Sequence, residues 1–106
     1  MAHEHAEAIW LHAEHRITLV DLAQCSGLPE EVLRELVEYG ALAPADPAAA
    51  RLDFSARCVA SVRAAARLAH DLELETPALA LVISFLERID ALERQLQELN
   101  AKLPRP

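Results

Sequence analysis

Apolar residues recur three or four positions apart in four stretches of this chain, which is the spacing of one buried face of an α-helix. The first stretch follows Thr18 and stops at Gly27, and the second runs from Pro29 to Gly40. Thr18 suits an N-cap and Pro29 the first position of a helix, whereas glycine can adopt the left-handed conformation that ends one. The short separation of these two stretches predicts a helix–turn–helix over residues 18–44.

A small β-hairpin and two further helices are predicted after this motif. The loop signal of residues 44–47 precedes Arg51-Leu52-Asp53-Phe54, where charged and apolar residues alternate as they do in a strand. That alternation predicts the return strand of a hairpin, which would be the wing of a winged helix–turn–helix. Ser55 can cap a third helix that runs to about Leu74, and Thr76-Pro77 marks the start of a fourth.

The fourth helix carries an apolar seam of the kind found in coiled coils. Its apolar residues follow one another mostly at steps of three and four, with one irregular step of three and three at Leu86–Ile89–Leu92, and Ile83 and Phe85 add apolar surface beside them. We expect residues 1–75 to form the winged helix–turn–helix body and residues 76–106 to form a helix that holds a homodimer together. The predicted dimer seam consists of Leu79, Val82, Leu86, Ile89, Leu92, Leu96 and Leu99, and Leu103 continues it.

Composition agrees with a mainly α fold. Hydrophobic residues make up 53% of the 106 residues, whereas aromatic residues make up only 4%, so the core must consist of aliphatic side chains packed between helices. Two glycines in the whole chain leave little room for a fold rich in sheet.

The distribution of charge opposes DNA binding. The formal net charge is −7, and residues 1–42 contribute −6 of it with eight acids and two bases. Non-specific DNA affinity comes mostly from Lys and Arg side chains that neutralise phosphates. The helix that would enter a DNA groove instead carries Glu30, Glu31, Glu35 and Glu38 against the single cation Arg34. We therefore expect a basic protein partner and consider nucleic acid unlikely, and a merely solvated helix face is the alternative.

No feature of the sequence indicates export, a membrane or catalysis. Cys25 and Cys58 are isolated, no signal peptide is apparent, and the apolar run from Pro77 to Phe85 is too short to span a bilayer. We expect a reduced, cytoplasmic protein that needs no cofactor and is not an enzyme, since no nucleophile lies beside a base and no phosphate-binding loop is present. The histidines at positions 3, 5, 12 and 15 suit adventitious metal binding better than a functional metal site.

Two parts of the sequence resemble known families. The order of a helix–turn–helix, a small wing, a further helix and a terminal coiled-coil helix resembles the MerR-like architecture. Arg67-Leu68-x-x-Asp71-Leu72-Glu73-Leu74, followed by Pro-x-Leu-Ala-Leu from residue 77, is similar to the CbpM family of chaperone modulators. This second resemblance covers roughly residues 10–100. One departure is Pro29, which stands where the family commonly has a Ser-type cap.

The resemblance implies a non-enzymatic inhibitor of a co-chaperone. CbpM-type proteins bind the J-domain of a CbpA/DnaJ-like co-chaperone, stop it from stimulating the DnaK ATPase and reduce its DNA binding. The expected partner-binding residues are Glu30, Glu31, Arg34, Glu35, Glu38, Asp71 and Glu73, although Asp71 could instead pair with Arg67. Two other functions stay open: a MerR-like transcription regulator that uses Arg51 on the wing, and a scaffold whose last helix pairs with another protein.

Overall fold

The computed structural model describes residues 15–104, and this part of the chain forms four helices and a two-stranded sheet. The mainly α fold with a long C-terminal helix is therefore confirmed. In chain order the elements are β1 (Arg16–Thr18), α1 (Leu19–Ser26), α2 (Glu30–Glu38), β2 (Asp53–Ser55), α3 (Cys58–Leu72) and α4 (Thr76–Lys102).

The helix–turn–helix is formed by α1 and α2, and its ends follow from local chemistry. The Thr18 hydroxyl oxygen accepts a hydrogen bond from the backbone N–H of Asp21 at 3.1 Å, which confirms the predicted N-cap. Gly27 has φ 79° and donates its N–H to the carbonyl of Ala23, as expected for a glycine that ends a helix. Pro29, with an extended ψ of 150°, is the N-cap of α2 and not its first residue, so α2 begins one residue later than predicted.

The two strands lie on either side of the helix–turn–helix in sequence, so the predicted hairpin is wrong although the small antiparallel sheet is present. β2 pairs with β1, and Ile17 lies opposite Phe54. Residues 43–52 form no strand, because Asp46 closes a turn by accepting the N–H of Ala48 at 3.1 Å. Sheet pairing here depends on a contact between distant parts of the chain, and the local alternation of residues 51–54 cannot reveal that partner.

The boundaries of the last two helices differ from prediction by a few residues. Ser55 belongs to β2, and its hydroxyl oxygen accepts the N–H of Arg57 before α3 begins at Cys58. At the other end of α3, Glu73 adopts the left-handed conformation with φ 54°. Glu75, rather than Thr76, is the N-cap of α4.

The core lies where α1, α2, α3 and the first turns of α4 meet the sheet. No charged or polar side chain of residues 15–104 is buried, so the interior is held by apolar packing. α4 spans about 40 Å, and only its N-terminal part contributes to this core. The buried cluster consists of Ile17, Leu19, Leu22, Leu33, Leu36, Leu42, Phe54, Val59, Val62, Ala65, Leu79, Ala80 and Ile83.

Leu22→Ala should lower the free energy of unfolding by about 2–5 kcal/mol, because Leu22 is fully buried and its truncation leaves a cavity between helices. Leu72→Ala removes the same atoms from a side chain that is 64% exposed, and should change stability by about 0.5 kcal/mol or less. Urea denaturation of both variants measures the difference. Equal losses would mean that Leu22 does not lie in the core.

Candidate partner-binding surfaces

The first candidate surface is the acidic face of α2, which we define as Glu30, Glu31, Glu35 and Glu38. All four side chains are exposed, and within residues 15–104 none of them forms an ion pair. Helical spacing places the last three on one side of α2, and Arg34 is exposed on the same helix. The helix therefore presents carboxylates that no cation of residues 15–104 neutralises through an ion pair.

The helix dipole stabilises only two of the four glutamates in the acidic face. Glu30 and Glu31 lie in the first turn, where a negative charge is stabilised by the positive end of the helix dipole. Glu38 is the last residue of α2, where the dipole disfavours a carboxylate, and no basic residue occupies that turn. Glu35 and Glu38 therefore have no stabilising role within the helix, and this favours an external partner for them.

The second candidate surface is the corner between α3 and α4, where the Arg67–Leu74 motif lies. Asp71, Leu72 and Glu73 are all exposed, and Leu74 is half-buried. The alternative that Arg67 pairs with Asp71 is wrong, because neither side chain forms an ion pair with any residue in the range 15–104. Part of the motif is structural, since the N–H groups of Glu73 and Leu74 both donate to the carbonyl of Ala69 and end α3.

A groove lies between these two surfaces, so the predicted partner-binding residues do not form one continuous patch. Val32 of α2 lines one side of it, and His70 and Leu74 of α3 and the corner line the other. None of the predicted carboxylates lines the groove itself, and the acidic face on α2 and the pair Asp71 and Glu73 belong to different elements. The sequence could not show this separation, because it depends on how α2 and α3 each pack against α1 and α4.

The predicted dimer seam is divided by the structure into a buried part and an exposed part. Leu79 is only 3% exposed, and Val82 and Leu86 pack partly buried against the same core. These three residues therefore contact the body of their own chain. The remaining members are exposed: Ile89, Leu92, Leu96 and Leu99, together with Leu103.

Phe85, and not Leu86, continues the exposed part of the seam. Its side chain is 61% exposed, whereas Leu86 packs against the core. With Phe85 the steps between exposed apolar residues alternate regularly as four and three, and the irregular step at Leu86 disappears. We call the resulting surface the exposed stripe, and it consists of Phe85, Ile89, Leu92, Leu96, Leu99 and Leu103.

The side chains with shifted pKa values lie away from these surfaces, where α3 begins beside α4. Burial raises the pKa of the Cys58 thiol to about 12, and the nearby Glu87 carboxylate adds to that increase. Burial also raises the pKa of Glu87 from its ordinary 4.5, and Asp90 raises it further, whereas Arg94 lowers it. Because Cys58 stays protonated at neutral pH, it is not a reactive thiolate.

The structure also shows the surroundings of the cysteines and of the possible metal-binding residues within residues 15–104. Cys25 and Cys58 are both free and half-buried. His3, His5 and His12 lie outside the described residues, and no group of metal-binding side chains occurs within residues 15–104. No helix in that range is long and apolar enough to cross a membrane.

Arg51, which we expected on a wing that could contact DNA, lies in the segment before β2 and has a carboxylate close by. The Arg51 guanidinium lies 3.8 Å from an Asp53 carboxylate oxygen, and the Arg51 side chain is 81% exposed. An exposed pair of this length is weak, so Arg51 is held only loosely. Arg51 alone gives little support to a DNA-binding surface, because α2, the helix that would enter a DNA groove, is acidic.

Comparison with known proteins agrees with this architecture. The profile of the MerR HTH family regulatory proteins matches residues 17–101, which span both strands and almost all of α4. The chain thus belongs to the MerR HTH class of regulatory proteins.

Curated relatives narrow this class to one family. The chaperone modulatory protein CbpM of Salmonella arizonae is 30% identical over 88 residues, which cover 83% of this chain and 87% of that protein. The CbpM of Coxiella burnetii is 29% identical over 80 residues, or 76% of each chain. The CbpM of an Escherichia coli O1:K1 strain is 27% identical over 88 residues. The chain belongs to the CbpM family of chaperone modulatory proteins, and its relatives are named as modulators, not as enzymes.

Glu87→Gln should raise the free energy of unfolding at neutral pH. The raised pKa means that the folded protein binds this proton more tightly than the unfolded chain does. That contribution to stability is fully present below pH 4.5 and is lost as the pH rises through the folded-state pKa, so ionised Glu87 costs stability at pH 7.

Urea denaturation of Glu87→Gln and the parent chain between pH 4 and 8 measures this effect. The advantage of the variant should grow with pH. Glu98→Gln, at an exposed position of the same helix, controls for the loss of one carboxylate. An advantage that does not change with pH would show that the Glu87 carboxylate costs nothing on ionisation.

Proposed function

We propose that this chain binds the J-domain of a CbpA/DnaJ-like co-chaperone and inhibits its stimulation of DnaK, as well as its DNA binding. The observation that carries this proposal is the acidic face of α2, which is exposed and has no cationic partner within residues 15–104. Membership of the CbpM family supports a chaperone partner. The finer assignment to a J-domain rests on charge and on the resemblance described above.

The proposed mechanism is steric occlusion after an electrostatically guided encounter. J-domains present a basic helix to DnaK, and the acidic face would cover that helix so that DnaK cannot reach it. Complementary charges of this kind speed association more than they strengthen the final complex. Asp71 and Glu73 are exposed at the end of α3, on a different element from the acidic face, so they would contact a different part of the same partner.

The exposed stripe supports a homodimer. Six large apolar side chains lie in one row from Phe85 of α4 to Leu103, which directly follows that helix, and each is between 46% and 62% exposed. An apolar row of this length is unfavourable in water, and its regular heptad spacing suits a second α-helix. We propose that two copies of α4 cover one another from Phe85 to Leu103, whereas the predicted seam residues Leu79, Val82 and Leu86 support the body.

A DNA-binding regulator is the second candidate function, since the fold is that of the MerR HTH class. The charge of α2 opposes it, because Arg34 is the sole cation of that helix. Calorimetric titration of the full chain with the host's CbpA-like J-domain, at low and at near-physiological salt, distinguishes the two functions. Binding that weakens with salt, together with loss of DnaK ATPase stimulation, is expected. No binding at either salt concentration would overturn the proposal and favour operator DNA.

Glu35→Lys combined with Glu38→Lys should slow association with the J-domain by about tenfold at low salt and have less effect on dissociation. Glu30 and Glu31 remain in this variant to stabilise the start of α2, so the fold should be retained. Stopped-flow association rates at several salt concentrations measure the effect.

The matched control for this variant is Glu93→Lys with Glu98→Lys. It makes the same change in net charge at exposed positions of α4, outside both candidate surfaces. If control and variant slow association equally, only net charge matters and the acidic face is not the binding surface.

Leu92→Glu with Leu96→Glu should convert the dimer into a monomer, because both carboxylates would be buried against a partner helix without counter-ions. Light scattering coupled to size exclusion reports the mass. Gln97→Glu with Ala101→Glu introduces two carboxylates on the same exposed helix beside the stripe, and this control should remain dimeric. A parent chain that is already monomeric would contradict the proposed dimer.

A further inference from the structure

The groove between the acidic face and the corner has a chemical character unlike the rest of the chain. It has a volume of about 580 Å³ and is walled by the turn after α1, by α2, by α3 and by the start of α4. Two arginines and one histidine contribute to its lining, and no carboxylate does. On a chain with a formal net charge of −7, this is a local concentration of positive charge.

The three cationic or ionisable groups lie on one side of α3. Arg63, Arg67 and His70 are separated by four and three residues, so they follow one another along the helix over about 10 Å. All three side chains are exposed, and within residues 15–104 none of them is engaged in an ion pair or a hydrogen bond. The structure therefore gives no internal role to these charges, although they could have balanced the acidic faces of the chain.

The groove also has an apolar wall opposite this row. Leu28 and Val32 line it from the turn and α2, and Leu79 lines it from α4. A surface that combines a row of cations with aliphatic side chains matches a ligand that combines carboxylates with apolar groups. A nucleic-acid backbone offers phosphates but no aliphatic side chains, and the neighbouring acidic face would repel it.

We propose that this groove is a second docking site, which binds an acidic peptide segment whose carboxylates alternate with apolar side chains. The carboxylates would lie along Arg63, Arg67 and His70, and the apolar side chains would contact Leu28 and Val32. Arginine suits this role because its guanidinium forms paired hydrogen bonds with a carboxylate. The row of Arg63, Arg67 and His70 lies on α3 and is opposite in charge to the acidic face of α2, so the site does not depend on the proposed J-domain contact.

The test is an NMR titration of the full-length, isotopically labelled chain at low salt with three probes. The first probe is the peptide Glu-Leu-Ala-Ala-Glu-Leu-Leu-Glu with blocked ends, whose glutamates repeat the spacing of the cations. The second probe replaces each glutamate by glutamine, and the third is a short DNA duplex. We expect the acidic peptide to shift the amide signals of residues 25–28 and 63–70, and to bind roughly tenfold more tightly than the glutamine peptide.

Two variants of the chain make the test specific to the groove. Arg63→Gln with Arg67→Gln should weaken binding of the acidic peptide by about tenfold, and the exposed position of both side chains predicts an unchanged melting temperature. Arg88→Gln changes an exposed arginine of α4 outside the groove, and should bind as the parent does. Equal binding of both peptides, signal shifts elsewhere, or tighter binding of the DNA duplex at the same residues would overturn the proposal. These results would leave the J-domain titration unaffected.

Discussion

The packing of the first turns of α4 against α2 and α3 is the contact on which the rest of the structure depends. Leu79 and Ile83 are almost fully buried, and they join the same core as Leu33 of α2 and Val62 of α3. Because those turns are committed to the core, the remainder of α4 extends beyond it with its apolar side chains uncovered. One apolar contact thus both closes the body and creates the surface that needs a partner.

The same contact explains what periodicity could and could not predict along α4. Apolar residues at steps of three and four indicate a helix with an apolar side, and that prediction is correct. They do not tell which of two adjacent apolar residues faces the body and which faces outward. Leu86 and Phe85 are such a pair, and only the packing of α4 against the core decides that Leu86 is partly covered while Phe85 is exposed.

Local chemistry predicted both ends of α1 and the stop after α2, because their causes lie within a few residues. The cap at Thr18 and the left-handed stops at Gly27 and Gly40 need no knowledge of distant contacts. The sheet shows the opposite case, since Ile17 and Phe54 meet although the helix–turn–helix separates them in sequence. A three-residue strand has too few positions to reveal its partner by alternation, and for this reason the hairpin prediction failed.

The charges of the candidate surfaces could be read from the sequence, but their arrangement could not. The acidic face was predictable because all its members belong to one short helix. The groove was not predictable, since its lining combines the row of Arg63, Arg67 and His70 on α3 with apolar side chains from three other places in the chain. The packing of the helices brings opposite charges side by side on different elements without joining them in ion pairs. Such unpaired, separated charges contribute little to stability, so the fold depends on its apolar core and leaves the charge of these surfaces free to vary.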